Sequence, residues 1–343
     1  MFVMALKNGE RKMNQFVPKL FDCMKSYTKE QFVKDVVSGI IVAIIALPLS
    51  IALALASGVG PEQGIYTAIF AGFVISFLGG SNVQIAGPTA AFATIVAGIV
   101  ARNGMSGLAA ATIMAGILLI IMGFLKLGNL IRFIPYTITT GFTFGIAVTI
   151  LVGQIKDFLG LTFTNSPIDT VDKVKECINC IGTFNYQALI VGVVALAILI
   201  IFPKITEKIP PSLIAVIVTI VMVKMLKMDV KTIGDLYTIS NKLPSVSLPS
   251  INFTMIRELF PDALTIAVFA GIESLLSCVV ADGMVGSRHK PNMELVAQGA
   301  GNVVSALFGG IPATGAIART AANIKSGGRT PVAGMVHSVT LLL

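Results

Sequence analysis

The sequence predicts an all-α polytopic membrane protein built as inverted seven-span repeats, with a short, broken third span and a short, broken tenth span. Three observations predict it. Hydrophobic residues fill 55% of the 343 positions, 12% are charged, and the 33 glycines lie within apolar runs instead of collecting in linkers. Between Val36 and Ala101 the only charge is Glu62, so the interruption Gln84-Ile85-Ala86-Gly87-Pro88-Thr89 falls where unpaired backbone groups must face protein or a wet cavity. A second interruption runs from Gly310 through Pro312, Thr314 and Gly315 to Arg319. Broken segments at corresponding places in two halves mark a transport site between them.

The elements follow in order. Residues 1–34 are polar and mixed in charge, carry no cleavable signal pattern, and read as a cytoplasmic amino-terminal segment. Spanning the hydrocarbon core takes about 20 apolar residues, and runs of that kind lie near 36–56, 63–79, 84–101, 105–125, 133–154, 185–203 and 209–226. They form a first seven-span repeat over residues 35–228. A stretch rich in Pro, Ser and Thr, residues 229–259, is too polar for lipid and reads as an extracytoplasmic connector with some extended structure. Residues 260–343 hold spans near 260–281, 291–309, 312–325 and 328–343, the first four of a second repeat. About 11 spans of an expected 14 are therefore present, and the chain reads as a piece of a longer protein.

Orientation rests on Lys and Arg. With the amino terminus inside, fifteen of the 25 fall in cytoplasmic segments, nine in outer loops, and Arg319 within a span. Most of the outer nine sit in the two longest loops, which cross regardless of charge. The net charge of +8 is spread between spans with no basic stripe interleaved with aromatics, which excludes a nucleic-acid partner. No Ser/His/Asp set, P-loop or dinucleotide fingerprint occurs, so the chain does not read as an enzyme or an ATP-driven pump. Cys177 and Cys180 form a Cys-x-x-Cys pair in an outer loop, able to form a disulfide in an oxidising space; without further ligands they make no metal site. His289 and His337 read as surface or interface residues.

An odd number of spans per half inverts the second half, so its third span enters the membrane from the other side. A helix that starts inside the membrane presents unsatisfied N–H groups and a partial positive charge of roughly 0.5. Two such ends facing each other make an electropositive cup for an anion. Thr89 and Ala90 lie at one end, Thr89 with a hydroxyl to offer. Gly315 lies at the other, where it lets the N–H groups of Ala316 and Ile317 come close to an oxyanion. Arg319, about one and a half turns into the tenth span, is too costly to face lipid. It adds a full charge behind the cup, snorkels to the inner surface, or pairs with a carboxylate. Asn323, one turn on, packs between helices through hydrogen bonds. Glu273 is the other intramembrane charge, with Ser277 one turn later on the same face. It is a protonatable group opposite the cup or one half of a structural bridge to Arg319.

These residues also carry a resemblance. Leu47-Pro48-Leu49-Ser50-Ile51-Ala52, Gly58 to Tyr66 with Pro61-Glu62-Gln63-Gly64, and Leu78 to Thr89 with Gln84-Ile85-Ala86-Gly87-Pro88 resemble the first three spans of the SulP anion permeases, the sulfate-permease-type family. Phe308 to Asn323 resembles that family's tenth span. The resemblance implies fourteen spans in two inverted repeats, a core domain moving against a gate domain, and a cytoplasmic STAS domain after the last span. It also implies a homodimer in the cell inner (plasma) membrane. It places a basic residue of the anion site at Arg319 and a coupling proton or sodium at Glu273, with no other cofactor. Ile317 stands where some sodium-coupled relatives carry a hydroxyl, which favours the proton. Leu49 stands where many sulfate-type members have Gln, so the partner anion is left as sulfate, bicarbonate or a dicarboxylate. The expected function is secondary active symport by alternating access. A nucleobase permease of similar architecture, or a non-transporting anion-binding membrane protein, is the alternative.

Overall fold

The computed structural model describes residues 16–133, 136–165, 167–206, 211–237, 244–249 and 252–343. Those residues are almost wholly helical. The chain divides into two compact units, one of Met1–Pro135 with Asn241–Leu343 and one of Tyr136–Ser240.

The first unit opens with a short α1 (Lys19–Met24) and a long α2 (Lys29–Ala56). Thr28 caps α2 by accepting from the Gln31 N–H at 3.2 Å, and Pro48 is accommodated inside the helix. The second helix is assembled from α3 (Pro61–Tyr66), a π-helical turn at Thr67–Ala71, and α4 (Gly72–Leu78). A strand of two residues, β1 (Ala86–Gly87), then precedes a single 3-10 turn at Ala90–Phe92 and the long α5 (Ala93–Phe124). The gap expected between the spans at 84–101 and 105–125 holds Gly104, whose φ of 66° and ψ of −172° are non-helical and divide α5 into two helices across a kink. Another 3-10 turn, Leu127–Phe133, closes this part.

The same unit resumes with α11 (Phe253–Val285), α12 (Pro291–Leu307), β2 (Thr314–Gly315), α13 (Ile317–Lys325) and α14 (Pro331–Leu342). Capped by Asn252, α11 begins at Phe253, seven residues before the expected start of the eighth span, so this helix runs through part of the stretch read as connector. The rest of that connector is irregular over 244–249, and residues 238–243 and 250–251 lie outside the described residues. Helix α5 packs against α11 and α12, and α14 packs against α2 and α4. The core between α5, α11 and α12 is rich in small residues, including Ala110, Ala111, Ala115, Ala263, Ala267 and Ala270. Close approach of backbones is what replaces a hydrophobic driving force between helices in lipid.

Buried polar locks fix the ends of these helices. The Asp35 carboxylate, fully buried near the start of α2, accepts from Tyr27 Oη at 3.0 Å, Gln31 Nε2 at 2.9 Å, the Arg329 N–H at 2.9 Å and the Thr330 hydroxyl at 2.5 Å. It therefore ties α2 to the entry of α14. Glu294 of α12 accepts from the Gly80 N–H at 2.8 Å and from Gln298 Nε2 at 2.8 Å, which holds the loop leading into β1.

The second unit contains α6 (Tyr136–Phe158), α7 (Thr170–Asn179), α8 (Tyr186–Ile205), α9 (Pro211–Met225) and the one-turn α10 (Ile233–Leu236). Helix α8 exposes Ile190, Val193, Leu196, Leu199 and Ile200, the surface expected of a lipid-facing span. Glu176 of α7 gathers the preceding loop, accepting from the N–H groups of Thr164 at 3.1 Å and Asn165 at 2.9 Å and from the Thr164 hydroxyl at 2.9 Å. Cys177 and Cys180 are buried free thiols here. Among the described residues, four helical runs are long and apolar enough to cross a membrane: Lys29–Ala56, Ala90–Phe124, Tyr186–Ile205 and Phe253–Val285.

Candidate functional site

The two sequence interruptions meet. β1 and β2 pair antiparallel, with Ala86 opposite Gly315 and Gly87 opposite Thr314. Because the strands run in opposite directions, the helices that follow them leave the pair at opposite ends. The strand pair thereby joins the segments that lead into the Ala90–Phe124 run and into α13, and Arg319 of α13 reaches back to the Pro88 carbonyl at 3.4 Å.

Extended backbone at this depth needs partners, and side chains from neighbouring helices supply them. The Ile85 N–H donates to Thr320 Oγ1 at 3.0 Å and the Gly315 N–H to Ser274 Oγ at 3.1 Å. The Asn302 carboxamide brackets Ala313 from both sides, accepting from its N–H and donating to its carbonyl, each at 2.9 Å. Thr67, in the π-helical turn, accepts from the Ile311 N–H at 2.8 Å. A π-turn widens the helix locally and frees such groups, which is why it recurs beside sites of function.

Two glycines admit contacts that a Cβ would block. A methyl group on Gly315 would collide with the carboxamide of Gln84, which donates to the Ser274 carbonyl at 3.2 Å. One on Gly87 would strike Nη1 of Arg319. The guanidinium thus lies directly against the β1 backbone.

Arg319 is 1% exposed. Its Nη2 donates to Ser50 Oγ at 3.2 Å and to the Pro88 carbonyl at 3.4 Å, while Nε and Nη1 have no protein partner among the described residues. No carboxylate pairs with it there. Glu273 instead accepts from the Thr89 hydroxyl at 3.0 Å, so the bridge to Arg319 considered from the sequence is not formed. The geometry is reciprocal: α2 contributes Ser50 to Arg319 at the second interruption, and α11 contributes Glu273 to Thr89 at the first.

Other expected site residues fall as follows. Thr89 precedes the 3-10 turn that Ala90 begins, and its side chain is 8% exposed. Gly315 sits in β2 and Ala316 is the residue before α13, so the helix starts at Ile317 and Arg319 lies in its first turn. That is closer to the helix end than the expected turn and a half, because strand pairing keeps Thr314 and Gly315 extended. The Ala316 N–H donates to the Ile85 carbonyl at 2.9 Å and is not free for an oxyanion. The N–H groups of Ile317 and Ala318, in the first turn, lack intrahelical acceptors by position. Ile317 is 36% exposed. Ser277 is fully buried and turns to Thr320 at 3.5 Å, away from Glu273. Asn323 does pack between helices, donating to the Val83 carbonyl at 2.8 Å and accepting from Ser38 at 2.7 Å.

Sequence reading missed three participants. Ser50, Ser274 and Thr314 are fully buried, and Ser274 and Thr314 share a 2.6 Å hydrogen bond at the strand pair. For Ser50 and Ser274 the available signal was weak, a lone hydroxyl in an apolar helix, which elsewhere merely bonds its own backbone; Thr314 lay in the second interruption but its hydroxyl was given no role. His337 corrects an expectation, being fully buried instead of lying at the surface.

Comparison with known proteins bears on the family and the fold. A model described as "Sulfate permease family" matches residues 32–343. The protein named "Putative sulfate transporter YvdB" of Bacillus subtilis is 45% identical over 93% of this chain and 61% of its own length. The bicarbonate transporter BicA of Picosynechococcus is 33% identical over 90% of this chain and 56% of its own length. The chain thus spans roughly three-fifths of the relatives it matches. The transmembrane domain of a cyanobacterial BicA superposes with a TM-score of 0.82 at 30% identity, covering 92% of this chain and 83% of that one. The structure of SLC26A9 gives 0.82 at 20% identity, covering 98% of this chain and 57% of that one, a likeness of fold alone.

Proposed function

The chain belongs to the sulfate permease family, and from that premise we propose that it is a secondary active anion transporter working by alternating access, in two inverted repeats. The observation that carries this reading is Arg319: a buried guanidinium with two unpartnered nitrogens and, among the described residues, no carboxylate, set against the strand pair that leads into two helices. An uncompensated charge away from water is expensive, and an anion is what offsets it. In this reading the oxyanion lies between Thr89–Ala90 and Gly315–Ile317, held by first-turn N–H groups and by Arg319. The Ala316 N–H serves the strand pair instead.

Glu273 is the coupling group in this proposal. It sits at the same opening as Thr89, and protonating it removes a negative charge from the neighbourhood of the anion. A proton is favoured over sodium, since Ile317 offers no oxygen and Ser277 is turned to Thr320. Named relatives transport sulfate or bicarbonate, and sulfate, bicarbonate and a dicarboxylate are all within the proposed substrate class. The proposal also places the chain in the cell inner membrane with its amino terminus cytoplasmic, as a homodimer.

Proteoliposomes containing the purified protein test it. Labelled sulfate, bicarbonate or fumarate should accumulate under an imposed proton or sodium gradient. No gradient-dependent uptake of any of them by the wild type would end the transporter reading.

A further inference from the structure

His337, on α14, is fully buried, and neither ring nitrogen has a protein partner among the described residues. A neutral imidazole always carries one N–H donor and one lone pair, so both needs are unmet. The surroundings are polar. Its Nδ1 points toward Gly72, whose Cα faces the Ala86 carbonyl of β1. Ser76, one turn beyond Gly72, also has an unpartnered buried hydroxyl, and Ser338 beside His337 donates to the Ala68 carbonyl at 3.2 Å. Arg319 presses Nη1 on Gly87 of the same strand. Unpartnered atoms of three side chains, Arg319, His337 and Ser76, therefore gather behind β1.

Charged groups near the ring are few. Helix α14 packs against α2, α4, the π-helical turn and α1. The stretch Thr67–Leu78 contains no ionisable residue. Those of α2 are Lys29, Glu30, Lys34 and Asp35, in its first two turns, where Asp35 is held by Thr330. In α1, Asp22 pairs with Lys290, leaving Lys19 and Cys23. Glu273 is at Thr89 on α11.

We propose that His337 takes up a proton when a divalent anion binds beside Arg319. The inference rests on the anion site proposed above. Arg319 supplies one positive charge, which balances a monovalent anion. A dianion such as sulfate leaves a second negative charge uncompensated in a medium of low dielectric. The free lone pair of His337 answers it: a proton from bulk water binds that nitrogen, and the positive charge of the imidazolium offsets the second negative charge across β1. No bond other than N–H forms and no electron moves. His337 thereby sets which charge class of anion travels with a proton, in addition to whatever Glu273 carries.

The test is calorimetric titration of the purified protein with sodium sulfate or sodium nitrate in buffers of different ionisation enthalpy, which yields protons taken up per anion bound. The wild type should take up about one more proton with sulfate than with nitrate. In His337→Gln that difference should vanish, with nitrate affinity within a few-fold of wild type. A variant that keeps the difference overturns the proposal and leaves the anion site standing; a wild type that binds neither anion removes the anion site itself. Binding of nitrate but not sulfate also overturns it. Nitrogen NMR of histidine-labelled wild type needs no variant. Sulfate should convert the signal of one of the two rings to the doubly protonated form, and unchanged ring signals at saturating sulfate count against the proposal.

Discussion

Arg319 reaches Ser50 and the Pro88 carbonyl from the first turn of α13, and each contact makes a separate prediction. A hydrogen bond to a charged group contributes about 1.5–3 kcal/mol, and tenfold in affinity is about 1.4. Arg319→Ala should therefore weaken anion binding by about 100-fold or more, measured by titration on protein that still elutes as a single species. Unchanged affinity there would contradict the proposed site. Ser50→Ala removes one contact and should cost about tenfold in affinity. Glu273→Gln keeps an oxygen for the Thr89 hydroxyl but cannot change charge, so uptake should persist while losing its dependence on the proton gradient; a preserved dependence would reject the coupling role. In the second unit, hydrogen bonds from Asn165 and Thr164 hold the Glu176 carboxyl below the usual glutamate range. A depressed value in the folded state means stability that is complete above the unfolded value of about 4.3 and lost as pH falls through the folded one. The protection of the Thr164 and Asn165 amides, their exchange measured against the intrinsic rate at each pH, should be high and level from pH 5 to 8 and fall in acid.

At the scale of elements, α5 turns on one residue. Gly104 has φ 66° and ψ −172°, a region that is essentially closed to residues with a Cβ. Gly104→Ala should cost about 1–3 kcal/mol, read as a lowered midpoint of thermal unfolding, while leaving the distant strand pair intact. An unchanged midpoint would show that the bend is not needed. Interruption of the third and tenth spans was legible from Gly87-Pro88 and Pro312, since these residues cannot continue a helix with full backbone pairing. That the interruptions form a two-residue ladder was not. Ala86 and Gly315 are more than 200 positions apart, and a strand of two residues leaves no alternation to read. The sequence reading left a gap between the spans at 84–101 and 105–125, and the non-helical Gly104 lies in it.

On the scale of the whole molecule, the apolar composition fixes a membrane protein and the family match fixes its kind. Order along the chain reads as two halves, whereas compactness groups Met1–Pro135 with Asn241–Leu343 and sets Tyr136–Ser240 apart. The two descriptions answer different questions: the expected repeats are read from order along the chain, and packing from contacts. Of the candidate site, residue types were legible because charge in an apolar run is costly and must be explained. Arg319 and Glu273 stood out for that reason. Ser50, the partner of Arg319, did not, because a hydroxyl residue costs little in a helix when it bonds backbone.

The sequence alone determined that this chain is a bundle of apolar helices broken at two places, with one basic and one acidic side chain set in lipid-length runs, since hydropathy and backbone pairing are local properties. Only the tertiary structure decided which groups answer which: Glu273 to Thr89, Ser50 to Arg319, β1 to β2, and His337 buried beside them. Those choices depend on side chains brought within about 3 Å from remote parts of the chain, and no local rule of composition or period carries that information.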